Sequence, residues 1–125
     1  MIMKPFMQLE GKARDYLVTI LLRINYNFEI SPEMTQDCYF DLTHILYVDL
    51  NYQDEEIDRI QQFSENHDHN LLKLIEECFS VVTPDEKEFI ARRLRMLCAT
   101  GIASLRDERQ GAFRDIQTKI DKLMR

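Results

Sequence analysis

Apolar residues recur every three or four positions along almost the whole chain, which is the period of one face of an α-helix. No segment alternates apolar and polar residues regularly enough to predict a β-strand. The 125 residues are enough to bury one hydrophobic core. We therefore expect an all-α fold, a single compact bundle in one domain spanning residues 1–125. About six helices are predicted, over residues 6–27, 32–49, 54–66, 71–82, 84–100 and 105–123.

Local start and stop signals set these boundaries. Residues 31–32 are Ser-Pro, a capping residue followed by a residue suited to the first helical position. Asn70 can cap the fourth helix in the same way. Residues 83–86, Thr-Pro-Asp-Glu, form the pattern of a capping box. Gly101 is typical of a helix end, so the fifth helix is expected to stop there.

The second predicted helix is apolar around most of its circumference, so we expect it to lie at the centre of the bundle. Its apolar residues form two rows displaced by about one position: Met34, Cys38, Leu42 and Ile45 in one, and Tyr39, Leu46 and Leu50 in the other. The helix also carries an acidic stripe of Glu33, Asp37 and Asp41, where like charges four residues apart repel each other. Either basic residues elsewhere in the fold pair with this acidic stripe, or the stripe is presented to a partner.

The two ends of the chain contain similar units. Ser-Pro-Glu at residue 31 is followed by Asp-Glu-Glu at residue 54, and Thr-Pro-Asp at residue 83 is followed by Asp-Glu-Arg at residue 107. The offsets between the two units are 52 and 53 residues. This echo suggests two related helical hairpins, the second and third helices and the fifth and sixth.

The charge and the cysteine content limit which cellular compartment and which class of partner we expect. Residues 1–86 hold 6 basic and 17 acidic groups, whereas residues 87–125 hold 10 basic and 5 acidic groups. An acidic chain with a net charge of −6 disfavours nucleic acid as a partner. Three cysteines in no disulfide or zinc spacing indicate a reducing compartment. With no signal-peptide pattern and no apolar run long enough to span a membrane, we expect a cytoplasmic protein.

Carboxylates crowd the connection between the second and third helices. Oxygen ligands at Asp49, Asn51, Asp54 and Glu55 are the type that calcium or magnesium prefers, although their spacing is not that of an EF-hand. The alternative is that these acids cap helix ends, with Asp49 accepting backbone N–H groups of the turn. No cofactor is required by either interpretation, and a divalent cation is the one candidate. The candidates for a transition metal are His67 and His69, with Asp68 and His44 as further ligands, and the sequence places no third ligand beside the histidine pair.

Two charged surfaces are candidates for partner binding. The acidic surface is formed on the second and third helices by Glu33, Asp37, Asp41, Glu55 and Asp58. It would suit a basic protein or a second copy of the chain. The basic patch lies on the fifth and sixth helices, and its principal members are Arg92, Arg95, Arg106 and Arg109. Interspersed acids and the lack of stacking aromatics among these arginines count against nucleic-acid binding there.

Residues 47–57, Tyr-Val-Asp-Leu-Asn-Tyr-Gln-Asp-Glu-Glu-Ile, resemble the TerB-like family of tellurite-resistance proteins, which also occurs as the N-terminal domain of a DnaJ-like co-chaperone. A second, less similar copy occupies residues 99–108, and the resemblance spans about residues 10–123. The family usually has an Asp-Gly pair at the first turn. Here Leu50 replaces that glycine, and in the second copy Thr100 precedes Gly101 where the aspartate would stand. The resemblance implies an all-helical, non-catalytic module of stress or envelope-related assemblies, with acidic residues that can bind divalent metal.

No catalytic signature accompanies these features: each cysteine falls within an apolar pattern, and there is no glycine-rich phosphate loop. We expect a non-enzymatic, cytoplasmic protein-interaction or regulatory module that uses the acidic surface. Two alternatives stay open. One is a divalent-metal-binding domain of the stress response. The other is a small phage or mobile-element inhibitor that presents carboxylates to a nucleic-acid-binding enzyme.

Overall fold

The computed structural model describes residues 8–125, which form an all-α bundle without β-strands in that range. This confirms the predicted fold class. The helices are α1 (Gly11–Asn27), α2 (Gln36–Thr43), α3 (Ile57–Glu65), α4 (Leu71–Val81), α5 (Pro84–Ser104) and α6 (Glu108–Leu123). A π-helical turn (His44–Asp49) extends α2, and a 3-10 turn (Asp54–Glu56) precedes α3. Within residues 8–125 no helix is long and apolar enough to cross a membrane.

The most completely buried helices are α1 and α5, whereas the second helix was expected to lie at the centre of the bundle. Five side chains of each are completely buried: Leu17, Val18, Ile20, Leu21 and Ile24 of α1, and Ile90, Ala91, Leu94, Leu97 and Cys98 of α5. By contrast α2 and the π-helical turn bury one side and leave Phe40, Tyr47 and Val48 exposed. The prediction was wrong because apolar content alone does not say which apolar side chains face another helix.

The predicted caps of α4 and α5 are confirmed. The Asn70 side chain accepts a hydrogen bond from the Lys73 amide, and Thr83 and Glu86 form a reciprocal capping box at the start of α5. At α2 the prediction was wrong by one turn. The Ser31 hydroxyl accepts from the amide of Met34 and closes a separate turn, after which α2 begins at Gln36.

The beginning of α1 and the end of α5 also differ from the prediction. Helix α1 begins at Gly11, which has a left-handed φ of 59°. The predicted start at Phe6 lies outside the described residues.

Gly101 does not end α5, because the helix continues to Ser104 and Asp107 then caps α6. Gly101 is needed for its small size, since α6 packs against it through the buried ring of Phe113.

Only the second of the two proposed hairpins is a packed pair. Helices α5 and α6 lie antiparallel against each other, and α2 packs along α5. Helices α3 and α4 pack on α1 and not as partners of α2. The first unit of the internal echo is therefore not a packed helical hairpin.

Candidate functional site

Arg14 of α1 organises the connection between α2 and α3. Its Nη1 and Nη2 donate to the two carboxylate oxygens of Glu56 at 2.7 and 2.9 Å, the bidentate geometry that makes such pairs strong. Its Nε donates to the carbonyl of Leu50 at 2.9 Å, and Nη2 also reaches the carbonyl of Asn51. Asn51 has a left-handed φ of 50°. The Arg14 guanidinium therefore joins the strained turn at Asn51 to Glu56, the acid just before α3.

Glu56 is the acid that caps this junction. Its Oε2 accepts from the amide of Gln53 at 2.8 Å, and its Oε1 accepts from Arg59, which in turn binds Asp15 of α1 at 2.7 Å. The hydrogen bonds from Arg14, more than any other contact, lower the pKa of the Glu56 carboxyl to about 2. The Glu56 carboxylate thus attaches the start of α3 to α1.

Asp49 does not have the capping role predicted for it. Its Oδ2 accepts from Nε of Arg93 on α5 at 3.2 Å, and its Oδ1 lies 3.9 Å from Nε2 of His44. Arg93 also lies over the ring of Phe89, 4.0 Å from its centroid. Asp49 is thus a link between the π-helical turn and α5.

The four predicted metal ligands are not gathered around one point. Asp49 faces Arg93, the side chain of Asn51 accepts from Gln53, and Asp54 and Glu55 are exposed. Across residues 8–125 no three His, Cys, Asp or Glu side chains come close enough to share a metal ion. The divalent-cation site stays a prediction without support from this geometry.

Asp49→Asn is expected to lower the free energy of unfolding by less than about 1 kcal/mol. The Asp49 and Arg93 side chains are 20% and 30% exposed, so solvent screens their attraction, and asparagine retains one acceptor oxygen. Chemical denaturation of the two proteins measures the difference. A loss well above this value would show that the carboxylate has a further structural partner.

Two of the predicted partner-binding acids meet in a groove between α2 and α5. Asp37 and Asp41 line an open depression of about 610 Å³ together with Phe40 and the facing side of α5. The hydroxyl of Thr100 on α5 donates to Oδ2 of Asp41, which anchors that carboxylate at the groove wall. The acidic stripe of the second helix is therefore not neutralised by a basic side chain of α5 at this point.

The same surface carries exposed apolar side chains. Phe40 is 68% exposed and its ring stacks on that of His44, with centroids 6.2 Å apart. Val48, on the π-helical turn, is 64% exposed but lines a separate depression with Gly11 and Asn51. On α5, Met96 is half exposed and lies between Arg93 and Thr100, which contact Asp49 of the π-helical turn and Asp41 of α2. The groove and the exposed side chains beside it form what we call the α2/α5 surface: Asp37, Phe40, Asp41, His44, Met96 and Thr100.

The remaining predicted acids lie elsewhere. Glu33 is exposed in the turn before α2. Glu55 and Asp58 are exposed on the 3-10 turn and on α3, which packs on α1, whereas α2 packs on α5. The structure thus divides the predicted acidic surface into an α2 part, which borders a groove, and an α3 part, which does not share that groove.

The predicted basic patch is dispersed into local pairs. Arg92 binds Glu88 on its own helix, and Arg95 binds Asp121 of α6. Arg109 donates to Asp107 and to the carbonyl of Phe28, while Arg106 donates to carbonyls at the end of α5. These four arginines do not form a continuous cationic surface.

The histidines and cysteines are placed in structural settings. His67 stacks on Phe63, and its Nδ1 lies 2.5 Å from the Phe63 carbonyl. His69 is exposed. All three cysteines are buried, and burial raises the pKa of both the Cys78 and Cys98 thiols to about 12. Thiols in this state are poor nucleophiles near neutral pH.

The sequence reasoning missed Phe40 and Thr100. A signal for Phe40 was present: position 40 lies three after Asp37 and four before His44, so it shares the face of the acidic stripe and not of the apolar rows. No comparable signal existed for Thr100, whose contact with Asp41 depends on how α5 packs.

Comparison of the chain with protein-family models, with curated proteins and with solved structures gives no match. The resemblance of residues 47–57 and 99–108 to TerB-like proteins accordingly stays a prediction.

Proposed function

We propose that this chain is a non-catalytic protein-interaction module of the cytoplasm, and that its binding site is the α2/α5 surface. The observation that supports this most is the exposed ring of Phe40 in one groove with two carboxylates that form no ion pair with a basic side chain of α5. Exposed apolar side chains rimmed by charge are typical of protein-binding surfaces.

Proximity labelling in the cell that makes the protein tests this function. Labelled neighbours are compared between the wild-type chain and the double variant Asp37→Asn with Asp41→Asn, which removes two charges and keeps the side-chain shapes. We expect specific neighbours to be lost from the variant, and the captured complex to weaken roughly tenfold or more between about 50 and 500 mM salt.

The control is Glu65→Gln, which removes an exposed charge at the end of α3. It should leave the labelled neighbours unchanged. If the double variant and the control label the same proteins as the wild-type chain, the acidic interaction site is not on α2. The neighbours lost from the double variant could instead be DNA-processing enzymes that free DNA also displaces from the wild-type chain. That result would support the carboxylate-presenting inhibitor.

A further inference from the structure

We infer that the α2/α5 surface binds one helix of a partner protein, which places an apolar side chain on Phe40 and lysine or arginine side chains beside Asp37 and Asp41. This inference rests on the proposed function and specifies the partner. Its first support is the shape of the site. Two antiparallel helices leave a groove between them, and a third helix can fill such a groove with one apolar face.

The spacing of the exposed residues also fits a helix. Phe40 and His44 are four residues apart, and their rings stack on each other with the Phe40 ring lining the groove. A partner helix would present residues at three- and four-residue spacing along these two rings. Residues 8–125 offer no sheet edge to which an extended peptide could add as a strand.

The charges on the α2/α5 surface determine which residues should flank the apolar face of the partner helix. Asp37 is exposed, and the Asp41 carboxylate accepts from the Thr100 hydroxyl and forms no ion pair with a basic side chain of α5. At the far end of the surface the Asp49 carboxylate is already paired with Arg93. A cationic side chain of the partner is therefore favoured at the Asp37 and Asp41 end, where it also supplies specificity.

A second copy of this chain is a poorer occupant. In a twofold dimer around this groove the same surface would face itself, which would bring the Asp37 and Asp41 pairs of both copies close together. Two arginines of α5 that could pair with them in another arrangement are engaged, Arg92 by Glu88 and Arg95 by Asp121.

Titration of the full chain with a synthetic peptide tests the inference. The probe is an amphipathic helix of about 18 residues with leucines at three- and four-residue spacing, flanked by lysines and arginines. We expect saturable binding, with shifts of amide resonances in two-dimensional NMR confined to α2, the π-helical turn and the second half of α5. Phe40→Ala should weaken binding about tenfold or more.

Tyr26→Ala is the matched control, since Tyr26 is an aromatic residue of α1 that is 84% exposed. It should leave the affinity unchanged. A second probe, in which every lysine and arginine is replaced by glutamate, should not bind. The inference is overturned if neither peptide binds, if both bind equally, or if the shifts map to another face. It is likewise overturned if the free chain dimerises in sedimentation and Phe40→Ala abolishes the dimer.

The two proposals can fail separately. If cellular neighbours depend on Asp37 and Asp41 while the basic peptide does not bind, the chain is an interaction module with another kind of occupant. If the peptide binds in the groove while the labelled neighbours are unaffected by the Asp variants, the site accepts such a helix and the proposed cellular function is wrong.

Discussion

Gly101→Ala is expected to lower the free energy of unfolding by about 1 to 3 kcal/mol. A Cβ atom at residue 101 would overlap the ring of Phe113 and lie 2.6 Å from its Cε2, well inside the contact distance of two carbons. The Phe113 ring is completely buried, so it has no space into which it can withdraw. The loss should occur even though alanine is favoured over glycine by about 1 kcal/mol in an ordinary helix interior.

Gly111→Ala is the matched control for this prediction. Gly111 lies within α6, is exposed, and has no heavy atom within 4 Å of its added Cβ. This change should therefore raise the free energy of unfolding by about 0.5 to 1 kcal/mol. Urea denaturation followed by circular dichroism measures both variants. Equal stabilisation of the two would contradict the close approach of α5 and α6 at Gly101.

Gly101 shows where sequence reasoning about this fold fails. A glycine near the end of an apolar pattern predicts a helix stop, and Gly101 fits that rule as well as a true stop would. Its actual role depends on Phe113, a residue of the next helix whose approach no local signal predicts.

Features determined by neighbouring residues were predictable. The three- to four-residue period gave the all-α class, and the caps at Asn70 and Thr83 were found because each is completed within three residues. The π-helical turn after α2 was not predictable in this way. Its wider hydrogen bonds, such as Leu50 N–H to the Ile45 carbonyl, leave no distinct residue pattern.

The candidate site was predicted in part for the same reason. Spacing alone placed Asp37 and Asp41 on one face of a helix. That Thr100 contacts Asp41, and that α1 and α5 are the most completely buried helices, follows from which helices pack together. The connection before α3 shows the same limit, because Arg14 and Glu56 are 42 residues apart in the sequence.

Glu56→Gln is expected to lower the free energy of unfolding by about 2 kcal/mol near neutral pH. The change removes the charge that Arg14 and Arg59 share, and leaves the Arg14 guanidinium, whose side chain is only 16% exposed, without its carboxylate. It also weakens the acceptor for the Gln53 amide. Glu55→Gln, which alters the exposed neighbouring acid, is the control and should have little effect.

The pH dependence of unfolding distinguishes this ionic role from mere packing. The pKa of Glu56 is lowered from 4.5 to about 2, so its contribution is fully present above about pH 4.5 and is lost as the pH falls towards 2. The wild-type chain should therefore lose more stability than Glu56→Gln over this interval, and the two curves should converge at its acid end. Parallel curves for the two proteins between pH 5 and 2 would show that the carboxylate is not held ionised by Arg14, and that its attachment of α3 to α1 is not electrostatic.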